Sequence, residues 1–302
     1  MSRSERVETQ VGGRRLSLSH LDKVLFPATG FTKGQLIDYY VRIAPVMLPH
    51  VIDRPVTFRR YPDGVEAKSF FEKHVPSHAP GWVRTVEVPS TSSRGDGSDV
   101  EHPLICDLPS LVWAANLAVI EFHVPLWRVG RRRKLPAPPD QMVFDLDPGP
   151  GASIVECCRV AQWIADALDE GSEPLAKTSG SKGLQLYVPL VGHPTWERIR
   201  NRAHDLAVQL ERDHPELVVS TMTKAVRKDK VFIDWSQNSA SKTTVAAYSV
   251  RARLEPTVST PVDWDEVAAC EASGDPDDLR FTTGEVLTRV EERGDLFGPL
   301  DP

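Results

Sequence analysis

The stretch MVFDLDPGPG, Met142 to Gly151, decides how this chain is read. An alternating run breaks at once into proline and glycine. In a β-strand successive side chains point to opposite faces, so Met142, Phe144 and Leu146 take one side and Val143, Asp145 and Asp147 the other. One strand thus carries an apolar face and, on its reverse, two neighbouring carboxylates. Like charges that close repel unless a proton or a cation lies between them, and two hard oxygen donors at a strand end suit Mg²⁺ or Mn²⁺. An ordinary strand exit, with the aspartates capping a turn, is the alternative the pattern alone leaves open.

A third carboxylate bears on that choice. In KVFIDWSQNS, Lys230 to Ser239, Asp234 falls on the strand face opposite Val231, Ile233 and Trp235 and precedes a polar run. Two carboxylates from one strand and one from a neighbour can hold two divalent ions about 3.5–4 Å apart, the arrangement that clamps attacking and leaving oxygens in phosphoryl transfer. Aspartates neutralised by arginines are the competing reading. Between these strands in sequence lies TSGSKGLQLY, Thr178 to Tyr187. It is neither a Walker A loop nor a dinucleotide fingerprint. Ser179, Gly180, Ser181, Lys182 and Gly183 nevertheless offer backbone N–H groups, hydroxyls and one cation, the makings of an anion nest. His123 shares with Glu121 the outward face of the strand Val119 to Val124.

Composition sets the frame. At 302 residues, 40% hydrophobic and 26% charged, the chain has the make-up of a globular protein of one large or two small domains. No apolar run approaches the roughly 20 residues of a membrane span, and MSRSERVETQ lacks a signal peptide's apolar centre. A cytoplasmic protein with no membrane partner is expected. The four cysteines make no CxxC and no zinc spacing with histidine, so neither zinc nor a disulfide framework is indicated. The formal charge of −6 is uneven: Pro261 to Pro302 holds 12 acidic and 3 basic residues, leaving 33 basic against 30 acidic elsewhere. Basic residues gather at Arg54/Arg59/Arg60, Arg131 to Lys134, and Lys224/Arg227/Lys228/Lys230; each cluster alone reads as solvated surface, and convergence in space would be needed for a footprint.

Strands are expected at Arg15–Leu18, Pro55–Tyr61, Val83–Val88, Leu184–Val188 and Val231–Trp235, with a polar loop from Thr91 to Pro103. Helices should open at the capping boxes Thr32-x-x-Gln35, Ser153-x-x-Glu156 and Thr282-x-x-Glu285, and run over Leu108–Leu117 and Thr195–Arg212. Strands interspersed with amphipathic helices indicate an α/β or α+β fold.

The ordered segments DKVLFPATGFTKGQLIDYY, RPVTFRRYPDG, SFFEKHVP, EFHVPLW, VFDLDPG, TSGSKGLQLY, TMTKAVRKDKVFIDWSQNS and SKTTVAAYSVRAR resemble the polymerase domain of bacterial ligase D, of the archaeo-eukaryotic primase superfamily. The resemblance runs from about Leu16 to Leu296. It implies a single primase-polymerase domain over residues 1–302: a central, mainly antiparallel sheet flanked by helices, with an N-terminal α/β part (about 16–104), a catalytic core (about 105–260) and an acidic helical segment (261–302). It implies metal ligation by Asp145, Asp147 and Asp234, with two Mn²⁺ or Mg²⁺ ions. Nucleotide contacts would fall to His123, Ser179, Lys182, Arg59, Gln237 and Arg251. Lys23 and Lys33 would bind a DNA 5′-phosphate, Phe70 and Phe71 would stack on the template beside Arg60, and Arg227 would engage a second DNA end.

The implied activity is template-dependent addition of NTPs, ribonucleotides preferentially, or dNTPs at gaps or breaks in DNA repair, by gap filling or non-homologous end joining. A bacterial, nucleoid-associated location and partnership with a separate ligase and the end-binding Ku protein would follow. No ligase or nuclease module is recognised, so a stand-alone form is expected, and His20 stands where the family often has Asn. Two other classes fit the same residues: a metal-dependent phosphodiesterase or nuclease, and a non-catalytic DNA-end-binding module.

Overall fold

The computed structural model describes residues 6–89, 99–130, 135–192 and 194–300. The basic run Arg131–Lys134 and the stretch 91–98 of the expected polar loop lie outside them. The hairpin of β1 (Arg6–Val11) and β2 (Arg14–Ser19) precedes β3 (Val24–Phe26) and β4 (Phe31–Thr32). Thr32 then caps α1 (Lys33–Val51): its hydroxyl accepts from the Gln35 amide while the Gln35 side chain accepts from the Thr32 amide. After β5 (Thr57–Arg60) and β6 (Phe70–Glu72), β7 (Arg84–Val88) pairs with β8 (Val100–Leu104). The expected loop is therefore strand from Val100 onward, its alternation hidden by Glu101, His102 and Pro103. Asp107 caps α2 (Leu108–Asn116), which leads into β9 (Val119–Val124).

The second half runs β10 (Gln141–Pro148), α3 (Ile154–Ala167), β11 (Leu175–Thr178), β12 (Leu184–Pro189), α4 (Trp196–Asp213), β13 (Val218–Val219) and β14 (Val231–Asp234). It closes with β15 (Thr244–Val245), β16 (Val250–Ala252), β17 (Pro256–Val258), β18 (Pro261–Val262), α5 (Trp264–Ser273) and α6 (Thr283–Arg293). Strand β14 ends one residue earlier than expected, because Trp235 starts a 3₁₀ turn. The acidic C-terminal segment also supplies an edge strand, β18, and not helices alone.

Two sheets organise these elements. One has the order β13-β14-β10-β12-β11-β18, antiparallel except for β13 beside β14; the other is the antiparallel β15-β9-β5-β6. The smaller sheet joins strands from both sides of residue 104. Met142, Phe144 and Leu146 are fully buried against Leu184, Leu186, Ile233 and the apolar stripes of α3 and α4. Full burial of one such side chain stabilises by about 1.5–3 kcal/mol. The reverse face of the larger sheet sends Val143 and Tyr187 into a second core with α1, α2, β5 and β9. The fold is the mixed α/β arrangement expected, mostly antiparallel. Arg54, grouped above with surface charge, is instead buried: its guanidinium donates to both oxygens of Asp140 and to the Pro125 carbonyl.

Candidate active site

Strand register sets the first feature of the site. Asp145 of β10 stands directly opposite Asp234 of β14 on one side and Gln185 of β12 on the other, and Gln185 stands opposite Lys177 of β11. Opposed residues share a face, so Lys177, Gln185, Asp145 and Asp234 form one row across four strands. They are linked by hydrogen bonds. Lys177 Nζ donates to Gln185 Oε1 at 2.5 Å and to Ser259 Oγ at 2.7 Å, and Gln185 Nε2 donates to Asp145 Oδ1 at 2.9 Å. Tyr187 adds its hydroxyl, 3.3 Å from Gln185 Oε1. Asp147, one step along the face, makes no hydrogen bond among the described residues. Burial and then the Asp147 charge, with that of Asp234, push the Asp145 carboxyl up to about 7. Burial and Asp234 also raise Asp147, against the opposing charges of Arg227 and Arg251.

The glycine-rich loop turns between β11 and β12 and meets this row at its open end. Gly183 lies so close to β10 that a Cβ there would sit 2.2 Å from the Leu146 carbonyl. Gly180 adopts φ +65°, and its Cβ would lie 2.6 Å from Arg251 Cγ and 2.7 Å from the Ser259 amide. The expected nest differs in one respect. The amides of Ser181 and Gly183 both donate to Ser179 Oγ, at 3.2 and 3.1 Å, so the loop satisfies part of itself. His123, Asp145, Asp147, Ser179, Lys182 and Arg251 line one cleft of about 360 Å³. Gln185, Thr243, Thr244 and Arg253 line it too. Sequence reasoning missed Gln185, although a lone amide inside the apolar strand LQLYV is a usable signal. Gln237 is placed differently: its Nε2 donates to Asp234 Oδ2 at 3.0 Å, beside the Ser236 amide and hydroxyl on Oδ1 at 3.0 and 2.6 Å.

The smaller sheet supplies the opposite wall. Glu121 of β9, 1% exposed, accepts from His123 Nε2 at 2.9 Å, from Arg59 Nη1 at 3.3 Å and from the Ala252 amide at 3.1 Å. Arg251 Nε lies 3.3 Å from its other oxygen, while Arg251 Nη1 donates to the Ser179 carbonyl. Burial alone would raise Glu121, but the His123 hydrogen bond and Arg251 hold it well below the usual carboxylate range. Phe71 packs edge-on to His123 at 5.5 Å and lies under the Arg59 guanidinium at 5.2 Å. The tandem phenylalanines are divided by strand alternation. Phe71 shares the site face, whereas Phe70 pairs with Arg60 on the reverse, and both are exposed, as stacking requires and a core would not allow.

Lys23 and Lys33 are brought together by the β3–β4 hairpin, the Lys33 amide donating to the Lys23 carbonyl at 2.8 Å. Lys33 opens α1, where the helix dipole adds partial positive charge. Its burial, with Lys23 nearby, lowers its ammonium to about 8. Lys23 Nζ meets Asp63 at 2.7 Å. His20 holds φ +54° in the preceding turn, a left-handed position that favours Asn. Arg227 lies over the Phe232 ring at 3.6 Å, and Phe232 is the strand partner of Asp147. Its turn packs onto the carboxylate strand's exit, where a Cβ at Gly149 would meet the Arg227 carbonyl at 1.7 Å.

Among the described residues no three Asp, Glu, His or Cys side chains converge closely enough to hold a metal ion as they stand. The donors nonetheless match a hard divalent cation. Asp147 makes no hydrogen bond among the described residues, Asp145 has one oxygen unengaged, and both carboxyls are raised by burial and by neighbouring carboxylate charge, Asp147 and Asp234 acting on Asp145 and Asp234 on Asp147, in a manner a cation would relieve. Asp234 is held by Ser236 and Gln237. No helix among the described residues is long and apolar enough to cross a membrane.

Comparison with known proteins gives one answer. The family described as LigD, primase-polymerase domain, matches residues 32–297. The "Multifunctional non-homologous end joining protein LigD" of Mycolicibacterium smegmatis is 44% identical over 288 residues, 95% of this chain and 36% of that protein. The "Bifunctional non-homologous end joining protein LigD" of Bacillus subtilis is 33% identical, over 94% of this chain and 44% of its own length. The chain thus spans less than half the length of these relatives. A solved structure, "Polymerase Domain from Mycobacterium tuberculosis Ligase D in complex with DNA", superposes with a TM-score of 0.88 at 42% identity, covering 95% of this chain and 98% of that one. On the family match, the identities and the shared architecture, this chain belongs to the LigD primase-polymerase domain family.

Proposed function

We propose that the protein is a DNA-directed nucleotidyltransferase of DNA repair, extending a primer 3′-OH across a short gap or break, with ribonucleotides preferred. The observation that carries this reading is the single cleft in which Asp145 and Asp147 face Ser179, Lys182, Arg251 and His123. Carboxylates aligned with cations across a narrow cleft suit a triphosphate whose α-phosphate must be attacked and whose pyrophosphate must leave. A hydrolytic phosphodiesterase has no need of a triphosphate pocket, and a binding module none of the carboxylates.

Asp145, Asp147 and Asp234 would hold two Mn²⁺ or Mg²⁺ ions, which would lower the pKa of the primer hydroxyl and neutralise triphosphate charge. Lys182 and Arg251 stabilise charge that develops on the phosphates, and Gln185 holds Asp145 in register beneath them. Lys23 and Lys33 at the head of α1 bind the downstream 5′-phosphate by charge-assisted hydrogen bonds. Phe71, with Arg59 above it, is a platform for a base at the cleft edge; stacking of this kind contributes about 1–3 kcal/mol per base. Phe70 and Arg60 meet the template on the reverse of the same strand, and Arg227, beside Asp147, faces an incoming second end. The part up to about residue 104 recognises the DNA end, and the part from 105 to 260 performs transfer. A separate ligase, recruited with an end-binding Ku protein, would seal the product.

The test is extension of a labelled primer across a short gap, comparing NTP with dNTP, Mn²⁺ with Mg²⁺, and a downstream 5′-phosphate with a 5′-hydroxyl. Addition that is faster with ribonucleotides and dependent on the 5′-phosphate is expected. Release of mononucleotides without added triphosphate would select the phosphodiesterase, and DNA binding without turnover the end-binding module.

A further inference from the structure

Glu121 is the one acid in a ring of bases. Two guanidiniums, Arg59 and Arg251, and the imidazole of His123 all meet its carboxylate, which is 1% exposed, while Arg253 stands nearby on the cleft wall. A carboxylate only accepts hydrogen bonds, so the 2.9 Å contact requires the proton on His123 Nε2. Burial, with Arg251 and Arg59 beyond, lowers the imidazole against the pull of Glu121 and favours its neutral form. A neutral ring has one N–H, and that one is taken. His123 Nδ1 is left as a bare lone pair, and it makes no hydrogen bond among the described residues although the ring lines the cleft.

We propose that Glu121 is the positioning residue of the nucleotide pocket: it locks His123 as the Nε2–H tautomer and so presents Nδ1 as an acceptor for a sugar hydroxyl. This rests on the reading of the cleft as a nucleotide site and deepens it. Phosphate oxygens are acceptors and have nothing to give an imidazole lone pair. A ribose 2′-hydroxyl has a proton to donate, and a deoxyribose has none at that position. The same carboxylate holds Arg59 against Phe71 and Arg251 against Ser179, so one buried charge orients groups from β5, β9 and β16. A site built to accept from a hydroxyl discriminates against the nucleotide that lacks it.

Two measurements decide this. The first is the ¹⁵N spectrum of the His123 ring in the unliganded full chain. A protonated Nε2 with an unprotonated Nδ1 is expected at neutral pH; an Nδ1–H tautomer or an imidazolium would overturn the proposal. The second compares NTP with dNTP incorporation in Glu121→Gln, where the amide can donate as well as accept and the tautomer is no longer enforced. The NTP preference should fall about tenfold, as loss of one hydrogen bond implies, the KM for NTP rising by more than that for dNTP, and Glu121→Asp should restore part of the preference. A merely structural glutamate would lower both substrates alike, and an unmoved ratio would sink the role of Glu121. Wild-type protein that incorporates neither nucleotide would instead sink the function reading, and the spectrum still judges the tautomer. The spectrum needs no variant, so the proposal stays exposed even if Glu121→Gln fails to fold.

Discussion

Strand β10 has two faces that obey different rules. Met142, Phe144 and Leu146 are sealed on one side at 0% exposure, while on the other Val143 is buried, Asp145 half-buried and Asp147 exposed within six residues of chain. The sealed face is held by non-directional apolar packing with α3 and α4. The other is held by directed bonds, Lys177 to Gln185 to Asp145, each made across a strand boundary. Packing of the first kind sets stability, and the polar row of the second kind sets where charge can be placed. The two tasks are separated by nothing more than the alternation of one strand.

If that separation holds, substitutions on the two faces should damage different properties. The largest effect is expected for Asp145→Ala, which should cut nucleotide addition by at least about 10³-fold, the scale of removing a preorganised electrostatic group, while DNA-end binding stays near wild type and the metal-free unfolding midpoint does not fall. Wild-type extension rates in this variant would dismiss the mechanism. Phe144→Ala, one residue away, should do the reverse. Loss of a buried ring costs about 3 kcal/mol or more, visible as a lowered denaturant midpoint, yet turnover per folded molecule should change little. A matching fall in turnover would show the faces to be coupled.

The acid–base balance of the front face sharpens the contrast. Asp145 is raised to about 7 by burial and by Asp147 and Asp234, so the metal-free protein binds more protons than its unfolded chain between the ordinary aspartate value and about 7. Its stability should therefore fall as pH rises through that window in the presence of a chelator. Mn²⁺ should abolish the fall, and at a hundred times its Kd should add about 2.7 kcal/mol at neutral pH, measured by unfolding; Asp145→Asn should remove both effects. A smaller change of opposite sign is expected at Asp295. Burial opposes its ionisation, but hydrogen bonds from His50 at 2.7 Å and Tyr248 keep it below the ordinary range. Its contribution is present above the ordinary value and lost as pH falls through the lowered one, so Asp295→Asn should flatten the acid limb of a stability profile.

Much of this was legible in sequence. The three aspartates declare themselves by alternation and by the break that follows, and Thr32 with Gln35 and Ser153 with Glu156 mark helix starts because capping is a local bond. The residues that organise the cleft were less visible. Glu121, Lys177 and Gln185 act on partners far away in sequence, and only strand register brings them together. The two-residue strands β13, β15 and β18 are too short for any period to show. Phe70 and Phe71 read as core by type, because hydrophobicity does not reveal that β6 is the sheet's edge.

The polar run after Asp234 carries one more consequence. Asn238, wholly buried, uses its Oδ1 to accept from the Val143 amide at 2.9 Å and its Nδ2 to donate to the Val143 carbonyl at 2.7 Å. A side-chain amide here impersonates the backbone of a missing strand residue. It hems the edge of β10 where β14 has departed, so the chain can swing away at Asp234 without leaving β10 a torn border inside the protein. The five residues from Asp234 to Asn238 thereby act as a ruler of fixed length. An insertion of a single residue within the ruler would lift the hem and open the sheet beneath the carboxylates of the cleft.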